Sequence, residues 1–164
     1  MSEPTNHPAG TELGRWEWVA LPEFGIACIK ARIDTASPVS TIQAVDVAAR
    51  VVEGEPYLRF RVFPLPDDPQ TFVVVEARRG VSAGPRVRPG GSHPLILTEL
   101  TIGDESFPVS LEVVESPADY PVTLGRDALG RRFKVDSTRE AVAGPPSLGW
   151  KPRRRRTRRR PRPA

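Results

Sequence analysis

Proline interrupts this chain so often that the sequence argues against a fold built on long helices. Nineteen prolines and 13 glycines are spread over 164 residues. A proline inside a helix removes a hydrogen bond and clashes with the preceding turn. Between these breaks lie short runs in which apolar and polar residues alternate, which is the period of a half-buried strand. With 38% hydrophobic residues, enough for a modest core, the sequence predicts one all-β domain with little helix.

The first strands form a predicted hairpin around a turn at residues 23–25. Trp16, Trp18 and Ala20 share one face of its first strand. Glu17 lies on the opposite face, with the other odd-numbered residues of the strand. The further strands are predicted at 26–33, 57–63, 71–77, 95–102, 107–114, 122–124, 132–135 and 140–142, with one or two helical turns at 125–130. Residues 39–52 favour a strand, but their alanines leave a helix open.

Charge divides the chain into a folded region and a tail. Residues 151–164 hold nine basic residues and no acid, so residues 1–150 hold 15 basic and 20 acidic residues, a net charge of −5. We expect a disordered segment at 1–13, a β domain at 14–144 and a disordered Pro/Arg-rich tail at 145–164.

The tail is the part of the chain suited to an anionic partner. Clustered guanidinium groups bind phosphates without sequence preference. We expect it to bind nucleic acid, anionic lipid or the acidic domain itself, with a basic extension that has no dedicated partner as the alternative. The candidate residues are Arg153, Arg154, Arg155, Arg156, Arg158, Arg159 and Arg160.

Other classes of site and location receive little support. The single Cys28 excludes an intramolecular disulfide and is compatible with a reducing cytoplasm, where we expect the protein. No apolar run approaches the ~20 residues of a membrane span, and the first residues do not form a signal peptide. The two histidines, His7 and His93, show no metal-ligand spacing, and no glycine-rich loop precedes Lys-Ser or Lys-Thr. We therefore predict neither a metal nor a nucleotide cofactor.

Asp34 is the candidate catalytic residue. It directly follows an apolar strand, and the small residues after it allow a tight loop whose N–H groups point back at the carboxylate. Two such loops meeting at a two-fold axis would bring two carboxylates together, which then share a proton and act as base and acid. One chain has one such loop, so this chemistry requires a homodimer. The alternative is an ordinary turn or cap.

Four segments resemble a bacterial family of retropepsin-like aspartic proteases that is often labelled ATP-dependent zinc protease. Residues 14–26 (GRWEWVALPEFGI) resemble its opening and 29–35 (IKARIDT) its active strand. Residues 123–129 (TLGRDAL) and 133–136 (FKVD) resemble the later apolar-apolar-Gly-Arg element and the strand after it. The resemblance covers residues 14–144, and the motifs stand in the family's order.

The resemblance implies a closed barrel of six or seven strands and a cleft shared by two protomers that cut a peptide or protein substrate. It places Asp34 on the catalytic aspartate and Thr35 on the hydroxyl residue that braces the dimer axis. Gly125 falls on the glycine beneath the active loop and Arg126 on the arginine that begins the short helix. The excursion at 78–94 lies where the family has its flap, with candidate residues Arg79, Gly80, Gly84, Gly90 and Gly91.

The active loop departs from the family pattern of Asp-Thr-Gly-Ala. Ala36 replaces the glycine, Ser37 the alanine, and Pro38 the basic residue that follows. A methyl group at Ala36 could crowd the paired loop, and Pro38 removes an N–H. Two functions therefore stay open: an aspartic endopeptidase, or an inactive pseudoprotease that serves as a binding or assembly module with an anion-binding tail.

Overall fold

The computed structural model describes residues 10–80, 93–116 and 119–146, and within them the all-β prediction is confirmed. A 3-10 turn lies at Pro22–Phe24, and the one α-helix of the described residues, α1, spans Arg126–Leu129. The strands are β1 (Thr11–Leu13), β2 (Trp16–Leu21), β3 (Ile26–Ile33), β4 (Ser40–Gln43), β5 (Val45–Val52), β6 (Glu55–Val62), β7 (Val73–Gly80), β8 (Leu95–Ile102), β9 (Glu105–Val114), β10 (Val122–Leu124) and β11 (Phe133–Val135).

Six strands close into a barrel, which confirms the predicted closure. Their order around the barrel is β2-β3-β10-β4-β9-β8, and β8 pairs with β2 to complete the ring. Strand β8 pairs with β7 through its first residues and with β2 through its last, so one strand serves both neighbours. Strands β7, β6 and β5 then extend the sheet outward as an antiparallel meander.

The inside of the barrel is filled by aliphatic side chains from every wall. Ile29 of β3, Ile42 of β4 and Leu100 of β8 have no solvent exposure. Phe60 of β6 extends the same core beneath the meander. Burying such a side chain contributes about 1.5–3 kcal/mol. The alternating runs in the sequence therefore mark which residues face this core.

The insertion of β10 between β3 and β4 determines where the candidate site lies. Strand β10 runs parallel to β3 and antiparallel to β4. Parallel neighbours end at the same edge of a sheet. The loop from β3 to β4, which contains Asp34, must therefore cross the end of β10, where Gly125 follows. Two motifs 91 residues apart in the sequence are brought together by strand order alone.

Several predicted boundaries require correction. Thr11–Leu13 forms β1 and pairs in parallel with β11, so ordered structure begins before residue 14. The strand favoured for 39–52 is confirmed over the helix, but the segment is divided into two strands, β4 and β5. Residues 140–142 do not form a strand, because a turn begins at Ala141, which lies in the left-handed region at φ 48°. Ala141 instead donates one backbone hydrogen bond to the carbonyl of Trp16 at 2.9 Å.

The face of β2 that carries Glu17 and Val19 is the buried one, and the side chains of Trp16 and Trp18 are only half-buried. Lys30 lies over the Trp16 ring at 4.2 Å from its centroid. The tryptophans thus pack on the outside of the barrel, where a cation can stack on their rings. Glu17 is buried in the core in their place.

None of the helices in the described part of the chain has the length and apolar character to cross a bilayer.

Candidate active site

Asp34 lies directly after β3, and its carboxylate is held by the loop that follows it. Oδ1 accepts the N–H groups of Ala36 at 3.0 Å and Ser37 at 3.2 Å. Oδ2 accepts no hydrogen bond from any residue the structure describes. The side chain is half-buried. The carboxylate is therefore fixed through one oxygen while the other faces away from the loop's own donors.

The backbone of Asp34 is tied to β10. Its N–H donates to the carbonyl of Leu124 at 2.9 Å. The carbonyl of Asp34 accepts the N–H of Ser37 at 3.3 Å, which closes a tight turn. Both ends of the turn are thus set by backbone hydrogen bonds.

Alanine at position 36 is compatible with this turn. Among the described non-glycine residues, a positive φ occurs only at Asp46, Glu53 and Ala141, so Ala36 does not need the conformation that favours glycine. Pro38 has no N–H to donate, and the hydroxyl of the preceding Ser37 donates to the carbonyl of Val39 at 2.8 Å. The departures from the family pattern leave the turn within one protomer intact.

Gly125 packs against the underside of this loop. A Cβ at this position would lie 2.3 Å from the carbonyl oxygen of Val39 and 2.8 Å from that of Ser37. Its φ of −95° is open to any residue. The requirement for glycine here is therefore close approach of two backbones, and not left-handed conformation.

Arg126 braces the exposed side of the loop. Its backbone N–H donates to the carbonyl of Ser37 at 2.9 Å. Its Nη1 donates to the carbonyls of Ala36 at 2.8 Å and Thr35 at 3.2 Å. One arginine thereby holds three successive carbonyls of the turn that contains Asp34.

The outer residues of the loop, Thr35 and Ala36, are exposed on the surface of the protomer. The role of Thr35 in bracing a dimer axis stays a prediction.

Two side chains of this site were not singled out from the sequence, Ser40 and Asp127. Ser40 is buried at 1% exposure and donates its hydroxyl to Asp127 Oδ1 at 2.6 Å. It also accepts the N–H of Gly125 at 2.9 Å. The available signal was position in the sequence: Ser40 directly follows the Asp34 loop and opens β4, and Asp127 lies within the 123–129 motif, directly after Gly125-Arg126.

The predicted flap and tail fall largely outside the described residues. Arg79 and Gly80 form the end of β7 and pair with Ile96 and Leu95 of β8. Gly84, Gly90 and Gly91 lie outside the described residues, as do the seven arginines predicted to bind anions, Arg153, Arg154, Arg155, Arg156, Arg158, Arg159 and Arg160. The flap and the anion-binding tail stay predictions.

Neither a cluster of metal ligands nor a reactive thiol is found among the described residues. In the ranges 10–80, 93–116 and 119–146, no group of three His, Cys, Asp or Glu side chains is arranged to hold a metal. Cys28 is buried, and burial raises its pKa to about 11. The thiol is therefore protonated at neutral pH and is a poor nucleophile.

A six-stranded barrel with an aspartate turn seated on a Gly-Arg element defines the class of retropepsin-like proteins. The chain belongs to the RimB-like family. The family model described as "Retropepsin-like aspartic endopeptidase RimB" matches residues 12–146, most of the chain. This confirms the resemblance that the four sequence segments indicate.

Relatives of known name are longer proteins. A probable alpha-L-glutamate ligase of Parasynechococcus marenigrum (strain WH8102) is 30% identical over 127 residues, which are 76% of this chain and 27% of that protein. A protein of the same name from Shewanella pealeana (strain ATCC 700345 / ANG-SQ1) is 27% identical over 135 residues, which are 80% of this chain and 30% of that protein. The chain thus spans less than a third of the relatives it matches.

One solved structure shares the fold. It is the crystal structure of Lpg0085, a protein of unknown function (DUF785) from Legionella pneumophila subsp. pneumophila str. Philadelphia 1, with a TM-score of 0.65 and 21% identity. The similarity covers 81% of this chain and 98% of that one. At this identity the comparison establishes the barrel alone.

Proposed function

We propose that this protein is an aspartic endopeptidase that acts as a homodimer, with Asp34 of each chain in one shared site. The observation that carries the proposal is the carboxylate of Asp34, which is held through one oxygen by Ala36 and Ser37 on an exposed loop. Its family membership supports the same reaction class. One carboxylate cannot act as both acid and base in the same step, so the second comes from another copy.

The chemistry follows from two carboxyl groups that share one proton, because two adjacent carboxylates do not both stay ionised. The ionised Asp34 takes a proton from water, whose oxygen attacks the peptide carbonyl carbon, while its protonated counterpart gives a proton to the carbonyl oxygen. In the second step the carboxyl that is now protonated gives its proton to the amide nitrogen. The carboxyl that is now ionised removes a proton from a hydroxyl group of the tetrahedral intermediate. The C–N bond breaks, and the pair again holds one proton.

The second oxygen of Asp34 suits this role. Oδ2 is not used by donors of the described loop, so it is available to water or to the partner carboxyl. Arg126 holds the loop through backbone carbonyls and leaves the carboxylate unpaired with a cation. A salt bridge would instead favour the ionised form of both groups and oppose proton sharing.

Peptides with alpha-linked glutamate are the first substrate class to test. The relatives that contain a region like this chain bear the name probable alpha-L-glutamate ligase, and a product of ligation is a natural substrate for cleavage. Arg126 beside the loop and Arg32 before it are exposed, and their charges would favour acidic side chains in the cleft.

A pseudoprotease is the second candidate, and Ala36 is the observation that favours it. Ala36 is exposed on the loop, so its methyl group points toward the surface where a second loop would approach. If the methyl group prevents pairing, the barrel remains as a binding or assembly module. Its tail would then be the part that binds anionic partners.

The decisive assay is peptide cleavage by the purified full chain between about pH 4 and 7, beside Asp34→Asn and Ala36→Gly. An oligo-alpha-glutamate peptide and the matching glutamine peptide serve as probes within a wider peptide library. We expect cleavage by the native protein and none by Asp34→Asn. Cleavage by Ala36→Gly alone would establish the pseudoprotease, and full activity of Asp34→Asn would refute the assignment of Asp34.

A further inference from the structure

We propose that Ser40 and Asp127 are positioning residues that hold the Asp34 loop on its glycine platform. The proposal rests on the proposed function of Asp34 and adds Ser40, together with Asp127 of the 123–129 motif, to the residues that hold its loop. It concerns how the loop is kept in place, and neither side chain touches the carboxylate of Asp34.

The direction of each hydrogen bond at Ser40 is fixed by chemistry. A serine hydroxyl has one proton to donate, and the N–H of Gly125 can only donate. Ser40 Oγ therefore accepts from Gly125 at 2.9 Å and must give its proton to Asp127 Oδ1 at 2.6 Å. Asp127 accepts this bond as a carboxylate, which makes it charge-assisted and short.

Asp127 receives two further hydrogen bonds. Its Oδ2 accepts the backbone N–H of Ser40 at 3.2 Å, and its Oδ1 accepts the N–H of Ala128 at 2.8 Å. The carboxylate thus joins the start of β4 to the start of α1. Although the residue is exposed at the surface, both of its oxygens are committed to these backbone and hydroxyl donors.

These bonds complete a closed ring around the Asp34 loop. On one side the N–H of Asp34 donates to Leu124, and on the other the N–H of Arg126 donates to Ser37. The Ser40–Asp127 pair adds the third connection, from the chain after the loop to the chain after β10. The loop is therefore held at its beginning, its middle and its end against one element.

Loss of the hydrogen bond between Ser40 and Gly125 would affect Asp34 by way of Ser37. Ser37 supplies one of the two N–H groups on the carboxylate, and its carbonyl lies against Gly125. If Gly125 loses its hydrogen bond to Ser40, the platform under Ser37 is free to shift. A displacement of about 1 Å at a catalytic group can cost on the order of 100-fold in rate.

The test uses Ser40→Ala, Asp127→Asn and the double variant. Asparagine places an NH2 group against the N–H of Ser40 and so weakens the pair without changing its size. Ser106→Ala and Asp136→Asn are the matched controls, because they remove the same groups away from the Asp34 loop. Ser106 lies in β9 beside Thr101, and Asp136 follows β11 beside Thr138.

Two readouts separate positioning from general stability. Amide hydrogen exchange by NMR reports on the N–H groups of Gly125, Ala36 and Ser37, and peptide cleavage reports kcat and KM. We expect exchange at these amides to accelerate about tenfold in each variant. We expect kcat to fall about tenfold with KM within about twofold. The double variant should match the single variants, because both residues act through one ring.

Unchanged exchange at the three amides, or a double variant whose losses multiply, would overturn the proposal. So would equal effects in the Ser106→Ala and Asp136→Asn controls. The exchange measurement needs no catalytic activity, so it decides the positioning role even if the native protein cleaves no peptide. In that case the proposed function alone would fail.

Discussion

Asp34 and Glu17 are two carboxylates that accept backbone N–H groups, yet they lie in opposite surroundings. Glu17 has no solvent exposure and accepts hydrogen bonds from Gly14 at 2.8 Å, Val142 at 2.9 Å and Ala143 at 3.1 Å. Asp34 is half-buried and accepts two, both from its own loop. The number and length of the hydrogen bonds are similar, so they do not separate the two roles.

What separates them is the span of chain that each carboxylate connects. Glu17 fastens residues 142–143, near the end of the described chain, to the beginning of β2, and both of its oxygens are occupied. Asp34 organises only the turn that follows it and keeps one oxygen available. We therefore propose that Glu17, which crosslinks distant segments, stabilises the fold, and that Asp34, which is held locally at the surface, serves in chemistry.

Asp34→Asn gives the largest expected effect. Asparagine keeps an oxygen for the loop's N–H groups but cannot hold or transfer the shared proton, so cleavage should fall at least about 10³-fold. Stability should change by less than about 0.5 kcal/mol, because the loop is retained. Peptide cleavage and urea unfolding measure the two quantities, with Asp136→Asn as the control for lost charge. Substantial residual cleavage would break the contrast on the catalytic side.

Gly125→Ala should destabilise the protein by about 3 kcal/mol and also abolish cleavage, because a Cβ would meet the carbonyls of Val39 and Ser37. Gly54→Ala is the informative comparison. Gly54 has φ +79° with no atom near its Cβ position, so its cost of about 1 kcal/mol is backbone strain alone. Equal losses in the two variants would show that the close approach at Gly125 is unimportant.

Glu17→Gln should reduce the free energy of unfolding by about 2 kcal/mol, because an NH2 group then opposes buried backbone N–H groups. At a temperature where the variant is folded, its kcat should equal the native value. The exposed Glu99→Gln removes the same charge and should change stability by less than about 0.5 kcal/mol. If both variants unfold at the same urea concentration, Glu17 does not fasten the end of the chain.

Ala36→Gly should alter cleavage by less than about threefold, because alanine already makes the turn without a positive φ. The ratio of kcat for Ala36→Gly to kcat for the native protein measures whether the methyl group of Ala36 obstructs the pairing of two loops. A large gain in activity would show that it does.

The buried thiol of Cys28 gives a test that needs no variant, because burial raises its pKa to about 11. At pH 8 the folded protein should react with a thiol reagent at less than about one hundredth of the rate of the unfolded chain, since only the thiolate reacts. A fast reaction in the native protein would place Cys28 at an accessible surface.

The strands and the catalytic candidate were predictable from the sequence because their signals are local. The alternation in 95–102 and 107–114 around Gly103 predicts the hairpin that β8 and β9 form. The order of Asp34 and the Gly125-Arg126 motif predicts the retropepsin-like barrel. Each of these features depends on neighbouring residues or on a motif with fixed spacing.

The rest was not predictable because the partners are distant backbone groups. A glutamate in an alternating strand normally faces water, and the three N–H groups that hold Glu17 leave no mark in the sequence. The same holds for β1, a three-residue strand that exists only through pairing with β11. Ser40 and Asp127 are ordinary polar residues until the strand order brings them into contact.

A subunit-mixing experiment tests most directly the claim that two copies of Asp34 form one site. Native protein is refolded together with about a ninefold excess of Asp34→Asn. A parallel control mixture contains the same excess of the double variant Asp34→Asn/Arg126→Glu, whose loop should not pair with the native loop. Random pairing leaves about one tenth of the native chains in native dimers. The account predicts that cleavage per native chain falls about tenfold in the first mixture and stays unchanged in the second. Unchanged cleavage in the first mixture would contradict a shared site.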